Sequence, residues 1–452
     1  MVWQLTLLIL LQIKELTMNM RLPKFPLPIY VSNANEYLRK LVYEGAGKRY
    51  GLLSEEVQNR IETELKAIES MNVADYFLIM EDIYRVGRNR LGITFGPGRA
   101  SAPGSIVNYS LGITQLDPLK HGLLFERFYN LNHKRLPDIS TDCNEGGTKK
   151  IFEYLVEKYG KEHVSWIGTR YKDGSIRRDP CGIAISDVAI SEIVPMTTIE
   201  DKEYGTVTVT NYETDYIEDT GIVKLDFLDF KIISFMDEVI AKVKENHGVN
   251  VDLSNIDIED KETLDLYATR ETGKTFLFNQ DCLHRNLLYI GAPTFEDLTS
   301  LCALYLSSAT ESLLEFFKRQ RGAYRGKDIE IVKDYNSGTY GMTIYQEQLM
   351  RLTQLIAGFT PEQSDDFRRT NGKRLVEKLD YYQALFYEGG TKNGYTKPQL
   401  RKLWNFWIKY GNVLFIKSHT VAYTLLAFQT AWLKAHFPEE YMEVVNQRDW
   451  QI

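Results

Sequence analysis

At 452 residues the chain is long enough for two or three domains with sizeable cores. Its 44% hydrophobic and 25% charged residues, free of low complexity, exclude a disordered or fibrous chain. A net charge of -7 gives no global pull toward nucleic acid, so any polyanion site must be built from local basic clusters. Cys143, Cys181, Cys282 and Cys302 are far apart and form no CxxC, which points to neither a zinc site nor a disulfide framework and fits a reducing, cytoplasmic compartment.

The first residues, MVWQLTLLILLQI, are apolar but too short to span a bilayer, and they lack a basic flank or a small-residue cleavage site. Residues 1–21 therefore read as a leader or an over-extended start, with Met18 and Met20 as alternative starts. Residues 20–35 are rich in proline and read as an extended entry segment. Ser54 followed by Glu55 and Glu56 marks a helix start, after which Val57, Ile61, Leu65 and Ile68 recur at helical spacing. A second helix is expected over 75–86.

The turn from Gly96 to Ser105 is dense in glycine and proline and leads into a helical stretch at 106–111. Glycines such as Gly98 let a backbone approach a ligand closely, amides at a helix start bind phosphate oxygens, and Arg99 could grip the same group. Some 40 residues on comes Leu136-Pro137-Asp138-Ile139-Ser140-Thr141-Asp142. In a strand, Asp138, Ser140 and Asp142 share one face. Lys224-Leu225-Asp226-Phe227-Leu228 places another acid inside an apolar strand, costly to bury unpaired. Carboxylates converging in this way point to a metal. The bland alternative is a set of capping and solvated aspartates.

A helix is expected over 149–159, and strands around 164–167, 182–185, 206–209 and 222–227. From Lys231 onward the pattern is mostly helical, with runs at 295–305, 345–357, 401–410 and 420–435. Basic clusters stand at 318–327 (KRQRGAYRGK) and 368–374 (RRTNGKR); such runs are often only solvated helix faces. The expected class is α+β, with a mixed first half and an α-rich second half.

In this order the motifs resemble the bacterial C-family replicative DNA polymerases, the alpha subunit of DNA polymerase III. The resemblance rests on Ala74-Asp75-Tyr76-Phe77-Leu78-Ile79, the Gly96–Ser105 turn, Leu116-Asp117-Pro118-Leu119, Leu124-Phe125-Glu126-Arg127-Phe128 and Leu136-Pro137-Asp138-Ile139. It continues through Val223-Lys224-Leu225-Asp226-Phe227-Leu228, Tyr345-Gln346-Glu347-Gln348, Arg368-Arg369 with Gly372-Lys373, Lys417-Ser418-His419 and the run from Phe428 to His436. It implies a palm similar to that of the polymerase-beta-like nucleotidyltransferases, with a reduced thumb insertion, followed by α-rich fingers. The implied domains are palm with N-terminal helices at 22–169, a thumb remnant at 170–181, the second part of the palm at 182–230 and fingers at 231–452.

By the same resemblance Asp138 and Asp226 belong to a carboxylate cluster for two magnesium ions, one activating the primer 3′-hydroxyl and one on the nucleotide triphosphate. Gly98, Arg99, Ser101 and Ser105 are implied to touch the triphosphate; Arg368, Arg369, Lys373, Lys417 and His419 are implied to make charge contacts with nucleotide or template. The implied activity is template-directed addition of deoxynucleotides to a primer, so primer-template DNA and deoxynucleoside triphosphates are the implied partners.

The departures from the family pattern are specific. The family's Pro-Asp-x-Asp-x-Asp has Ser140 as its middle residue here, and a neutral hydroxyl is a poor magnesium ligand beside carboxylate. Asp142 is the candidate substitute, yet at ~3.3 Å per residue it lies about 13 Å along a strand from Asp138, whereas paired metals sit about 3.5–4 Å apart. Ala100 replaces a glycine, Leu306-Ser307-Ser308-Ala309 replaces an Arg-Pro-Gly-Pro, and Arg178-Asp179 replaces a Lys-His. The family's PHP, clamp-binding and OB-fold regions have no counterpart in the sequence, so separate polypeptides carrying them are expected as partners of a split enzyme. The alternatives are a catalytically inactive DNA-binding remnant or interaction subunit and, less favoured because of the fingers motifs, a template-independent nucleotidyltransferase.

Overall fold

The computed structural model describes residues 20–132, 135–212, 214–323 and 329–448. Most of the leader expected at 1–21, and Arg325 and Lys327 of the first basic cluster, lie outside the described residues. The chain divides into two compact units: one comprises 1–98, 105–115 and 131–234, the other 99–104, 116–130 and 235–452.

The first unit is built on a six-stranded mixed sheet of β1 (Ser140–Cys143), β2 (Val164–Arg170), β3 (Ile176–Ile185), β4 (Met196–Asp201), β5 (Gly205–Thr210) and β6 (Val223–Asp229), in the spatial order β1-β6-β3-β2-β5-β4. β1 runs parallel to β6, with Ser140 opposite Asp226 and Asp142 opposite Leu228; β3 lies antiparallel on the other side of β6, with Gly182 opposite Asp226. β6 shows why this strand carries the site. Val223, Leu225 and Phe227 are buried, whereas Lys224, Asp226 and Leu228 between them are half-buried, so one face is core and the other is open. The expected strands at 164–167, 182–185, 206–209 and 222–227 are all present; β4, with its polar Met-Thr-Thr-Ile-Glu-Asp, gave no apolar signal.

The strand expected to begin at Asp138 begins at Ser140 instead. Pro137 has no N–H to give a neighbour, and Ile139 N–H donates 3.2 Å to the Tyr76 hydroxyl rather than to a strand. Asp138 is therefore exposed and free of the ladder. The segment expected as a thumb remnant at 170–181 is the turn of the β2–β3 hairpin and the first half of β3: Tyr171 N–H donates to Ser175 O at 2.8 Å, and Asp179 then accepts from the amides of Cys181 and Gly182 where Pro180 interrupts pairing.

The helices of this unit follow their apolar stripes. α1 (Ala34–Tyr50) was not legible because Gly45 and Gly47 sit in it, yet Leu38, Val42 and Ala46 form a buried stripe. Gly45 permits the contact: a Cβ there would meet Ser110 O at 1.9 Å. α2 (Glu55–Ser70) is capped by Ser54 and buries Val57, Ile61, Leu65 and Ile68, and α3 (Ala74–Val86) is mostly core. α4 (Gly147–Tyr159) starts against Asp229, which accepts 2.8 Å bonds from the amides of Gly146 and Thr148 and so supplies negative charge at the helix N-terminus.

The division between the units falls inside α5 (Lys231–His247). The second unit is helical, as expected: α6 (Phe295–Leu306), α7 (Gln346–Ala357), α8 (Pro361–Gly372), α9 (Val376–Lys392), α10 (Lys397–Tyr410) and α11 (Lys417–His436), among shorter helices. Leu349, Ile356, Phe367, Phe386, Trp404 and Trp407 form one core. α11 is buried on nearly all sides, its polar Thr420, Thr424, Gln429 and Thr430 included.

Candidate active site

Within the first unit, Asp138, Lys224 and Asp226 line one cleft of about 80 Å³, together with Tyr76 and Glu218. Ser140 ties the arrangement together: it sits in register beside Asp226, and its hydroxyl donates 2.8 Å to Asp138 Oδ1. Lys224 Nζ lies 3.4 Å from Asp226 Oδ2, while Asp226 Oδ1 is buried with no hydrogen-bond partner. Burial pulls the Lys224 ammonium toward the neutral form, but the charges of Asp226, Asp179 and Asp138 outweigh it and raise its pKa. Burial, with a smaller contribution from Asp138, raises the Glu218 carboxyl against the opposing charge of Arg135. Tyr76 is buried, and its phenol is held well above its ordinary value by burial and then by Asp138, so it stays protonated.

Asp142 is not part of this cleft. It faces Leu228, one pleat repeat of ~6.6 Å beyond the Ser140–Asp226 pair. It is 2% exposed, its carbonyl accepts from Gly96 N–H at 2.9 Å, and a Cβ on Gly96 would lie 3.5 Å from its own Cβ. The expected substitution of Asp142 for the missing acid therefore fails on position. Ser105 is likewise committed elsewhere. It is fully buried, donates 2.6 Å to Glu64 Oε2, and accepts from Asn108 N–H. Glu64 also takes the amides of Ile106 and Val107, at 3.1 and 3.2 Å, with Arg60 as its counter-ion at 2.6 Å. The helix-start amides expected to bind phosphate are thus already satisfied by a carboxylate. Gly98 is buried, with a positive φ of 146°.

In the second unit, Ala100 adopts φ 52°, a left-handed conformation that favours glycine. The N-terminus of α11 holds it there: Ala100 N–H donates 3.1 Å to His419 Nδ1, and Ser418 Oγ donates 2.8 Å to Ala100 O. Burial, then the neighbouring Arg99 guanidinium, lower the His419 pKa to about 4. The charge contact expected of His419 is corrected accordingly, since at neutral pH the ring is an uncharged acceptor. Ser101 is buried beside Ala100, and Arg99 is half-buried. Glu347 caps the same helix, accepting from the amides of Lys417 and Ser418 at 2.8 and 3.2 Å; Lys417 Nζ is 3.6 Å from Glu296.

Arg368 and Arg369 both bond the fully buried Asp365, at 2.9 and 2.8 Å from their Nε atoms. Burial works against the Asp365 charge, but the two guanidinium groups outweigh it and lower its pKa. Gln346 accepts from Arg127 Nε at 2.9 Å. Burial, then Arg368, bring Arg127 down to about 10, so it is still charged at neutral pH. Two arginines thus pair with one buried carboxylate, and Arg127 shares Gln346 with Arg368, whereas Lys373 is exposed at the end of α8. Sequence reasoning passed over Lys224, Tyr76 and Arg127 as site residues. The signal for Lys224 was its two-residue spacing from Asp226 on one strand face; for Tyr76 it was only its place in the motif at 74–79.

With two carboxylates and the orphaned Asp226 Oδ1, the cleft fits one divalent ion. It does not fit a pair, because Ser140 occupies the register position of the third carboxylate. Among the described residues, no group of three or more His, Cys, Asp or Glu side chains converges as a metal site.

Comparison with known proteins agrees with the motif order. The sequence model of the bacterial DNA polymerase III alpha NTPase domain matches residues 36–179 and 174–229, and that of the bacterial DNA polymerase III alpha subunit finger domain matches 232–394. DNA polymerase III subunit alpha of Halalkalibacterium halodurans is 30% identical over 511 residues, covering 96% of this chain and 45% of that protein. The proteins of the same name from Bacillus subtilis and Aquifex aeolicus are 28% and 29% identical, covering 93% and 94% of this chain and 44% of each relative. The mixed α+β architecture, with a six-stranded sheet and a helical second unit, is consistent with a polymerase palm and fingers. The chain belongs to the family of the bacterial DNA polymerase III alpha subunit, and it spans about half the length of the curated relatives it matches. Among the described residues no helix is long and apolar enough to cross a membrane.

Proposed function

We propose that the chain is the palm-and-fingers core of a DNA-directed DNA polymerase, adding deoxynucleotides to a primer 3′-hydroxyl. The observation that carries this reading is the pairing of Asp226 with Ser140 across β1 and β6, with Asp138 joined through the Ser140 hydroxyl, opening on one cleft beside Lys224. Asp138 and Asp226 would hold a divalent ion, which supplies positive charge to phosphoryl oxygens and makes the 3′-hydroxyl easier to deprotonate. Tyr76 holds the Ile139 amide and so fixes the backbone next to Asp138. In the second unit, Arg127, Arg368 and Lys417 offer cations suited to a triphosphate or a template phosphate. Residues 22–230 are assigned to the palm, with the 170–181 hairpin in place of the thumb, and 231–452 to the fingers.

Ser140 favours a second reading, a catalytically inactive DNA-binding or interaction subunit. Primer extension by the 452-residue chain, with four deoxynucleotides and magnesium, tests the two. Extension that disappears in Asp226→Asn supports the polymerase. No extension, with primer-template still bound in a gel shift and no gain in Ser140→Asp, supports the inactive subunit.

A further inference from the structure

The charges of the cleft limit how many cations it can take, and Lys224 already contributes one. Lys224 and Asp226 are two positions apart on β6, so their side chains leave the same face of the sheet. Both side chains are 19% exposed, and the ammonium lies 3.4 Å from the carboxylate. Asp138 joins them through Ser140, whose hydroxyl spends its proton on Asp138 Oδ1. Two carboxylates and one ammonium leave a single net negative charge. One divalent cation already reverses that sign, and a second would meet the first ion and the ammonium with no further carboxylate to screen it. Glu218 lines the cleft, but among the described residues it does not converge with the two aspartates as a metal site. Asp142 lies a pleat repeat away and is walled in.

We infer that this cleft takes one divalent cation, on Asp138 and Asp226, with the Lys224 ammonium 3.4 Å from one of its two ligands. The site is mononuclear because Ser140 withholds the carboxylate that would bridge a pair. This inference deepens the polymerase reading and takes the site's identity from it, but its stoichiometry is read without turnover.

The experiment is Mn2+ titration of the 452-residue chain followed by electron paramagnetic resonance, counting ions lost in Asp226→Asn, with circular dichroism to check that each variant is folded. The expected result is one such ion in the unaltered chain and two in Ser140→Asp. Lys224→Met should keep one ion but bind it about tenfold tighter, because a unit positive charge beside a dication has been removed. Two ions in the unaltered chain, none at all, one in a folded Ser140→Asp, or unchanged or weaker binding in Lys224→Met would each overturn the inference. The two readings fail separately: one ion without primer extension leaves the mononuclear site and removes the polymerase, whereas extension with two ions does the reverse.

Discussion

Replacing Tyr76 by Phe tests whether the site depends on how Asp138 is held. The substitution keeps the ring and its packing on α3 but removes the oxygen that accepts from Ile139 N–H at 3.2 Å. Tyr76 is 2% exposed, so the orphaned amide cannot turn to water without local rearrangement. A buried donor left unsatisfied costs about 1–3 kcal/mol. That cost falls on the peptide linking Asp138 to β1, which either loosens or shifts. Groups that orient metal ligands typically change metal affinity by about 10–100-fold when removed; one bond acting through the backbone belongs at the low end. The expected outcome is therefore about tenfold weaker Mn2+ binding, measured by resonance titration, together with a lower denaturant midpoint for the first unit. In primer extension kcat should fall more than the nucleotide KM, because the triphosphate contacts proposed for the second unit remain. Unchanged Mn2+ affinity alongside lowered stability would show that Tyr76 is only core, and unchanged values of both would refute the reasoning altogether.

Ala100→Gly should stabilise the second unit by about 1 kcal/mol, read as a raised denaturant midpoint, because φ 52° costs an alanine what it does not cost a glycine. Glu64→Ala should destabilise the first unit by roughly 3–5 kcal/mol, since Arg60 and the amides of Ile106 and Val107 lose a buried charged partner together; a loss under about 1 kcal/mol in urea unfolding would mean that water replaces the carboxylate. Burial, with Lys417 for His121 and Arg99 for His419, holds both folded-state pKa values at about 4, below the unfolded value near 6.5. Above pH ~6.5 neither state binds the proton, so nothing is lost. As the pH falls from there toward 4, the unfolded chain takes up protons that the folded one refuses, and stability should decline. Denaturant midpoints between pH 7 and 4 measure it, with His419→Gln flattening part of the slope.

Much of this protein was written in its sequence, because the information is local. Pro137 and the acids after it, the alternation of Lys224 and Asp226 among Val223, Leu225 and Phe227, and the helical periods after Lys231 specify element type directly through backbone period and side-chain chemistry. The motif order carried the family as well. Elements whose apolar stripe is diluted stayed hidden: α1, where Gly45 serves a close approach to Ser110, and β4, whose residues are mostly polar. The partners of polar groups were decided only by the tertiary structure. Ser105 and the amides after it looked like a phosphate cradle until Glu64, 41 positions away, was placed against them. His419 looked like a cation until burial and Arg99 made it a neutral acceptor for Ala100. Tyr76 stood in a family motif, but its bond carried no signal, since a hydroxyl meeting a backbone amide 63 positions away leaves no pattern in the chain. Side-chain type sets what a group can bond, but which group it meets, and in what dielectric, depends on contacts between distant segments, and those exist only once the chain has folded.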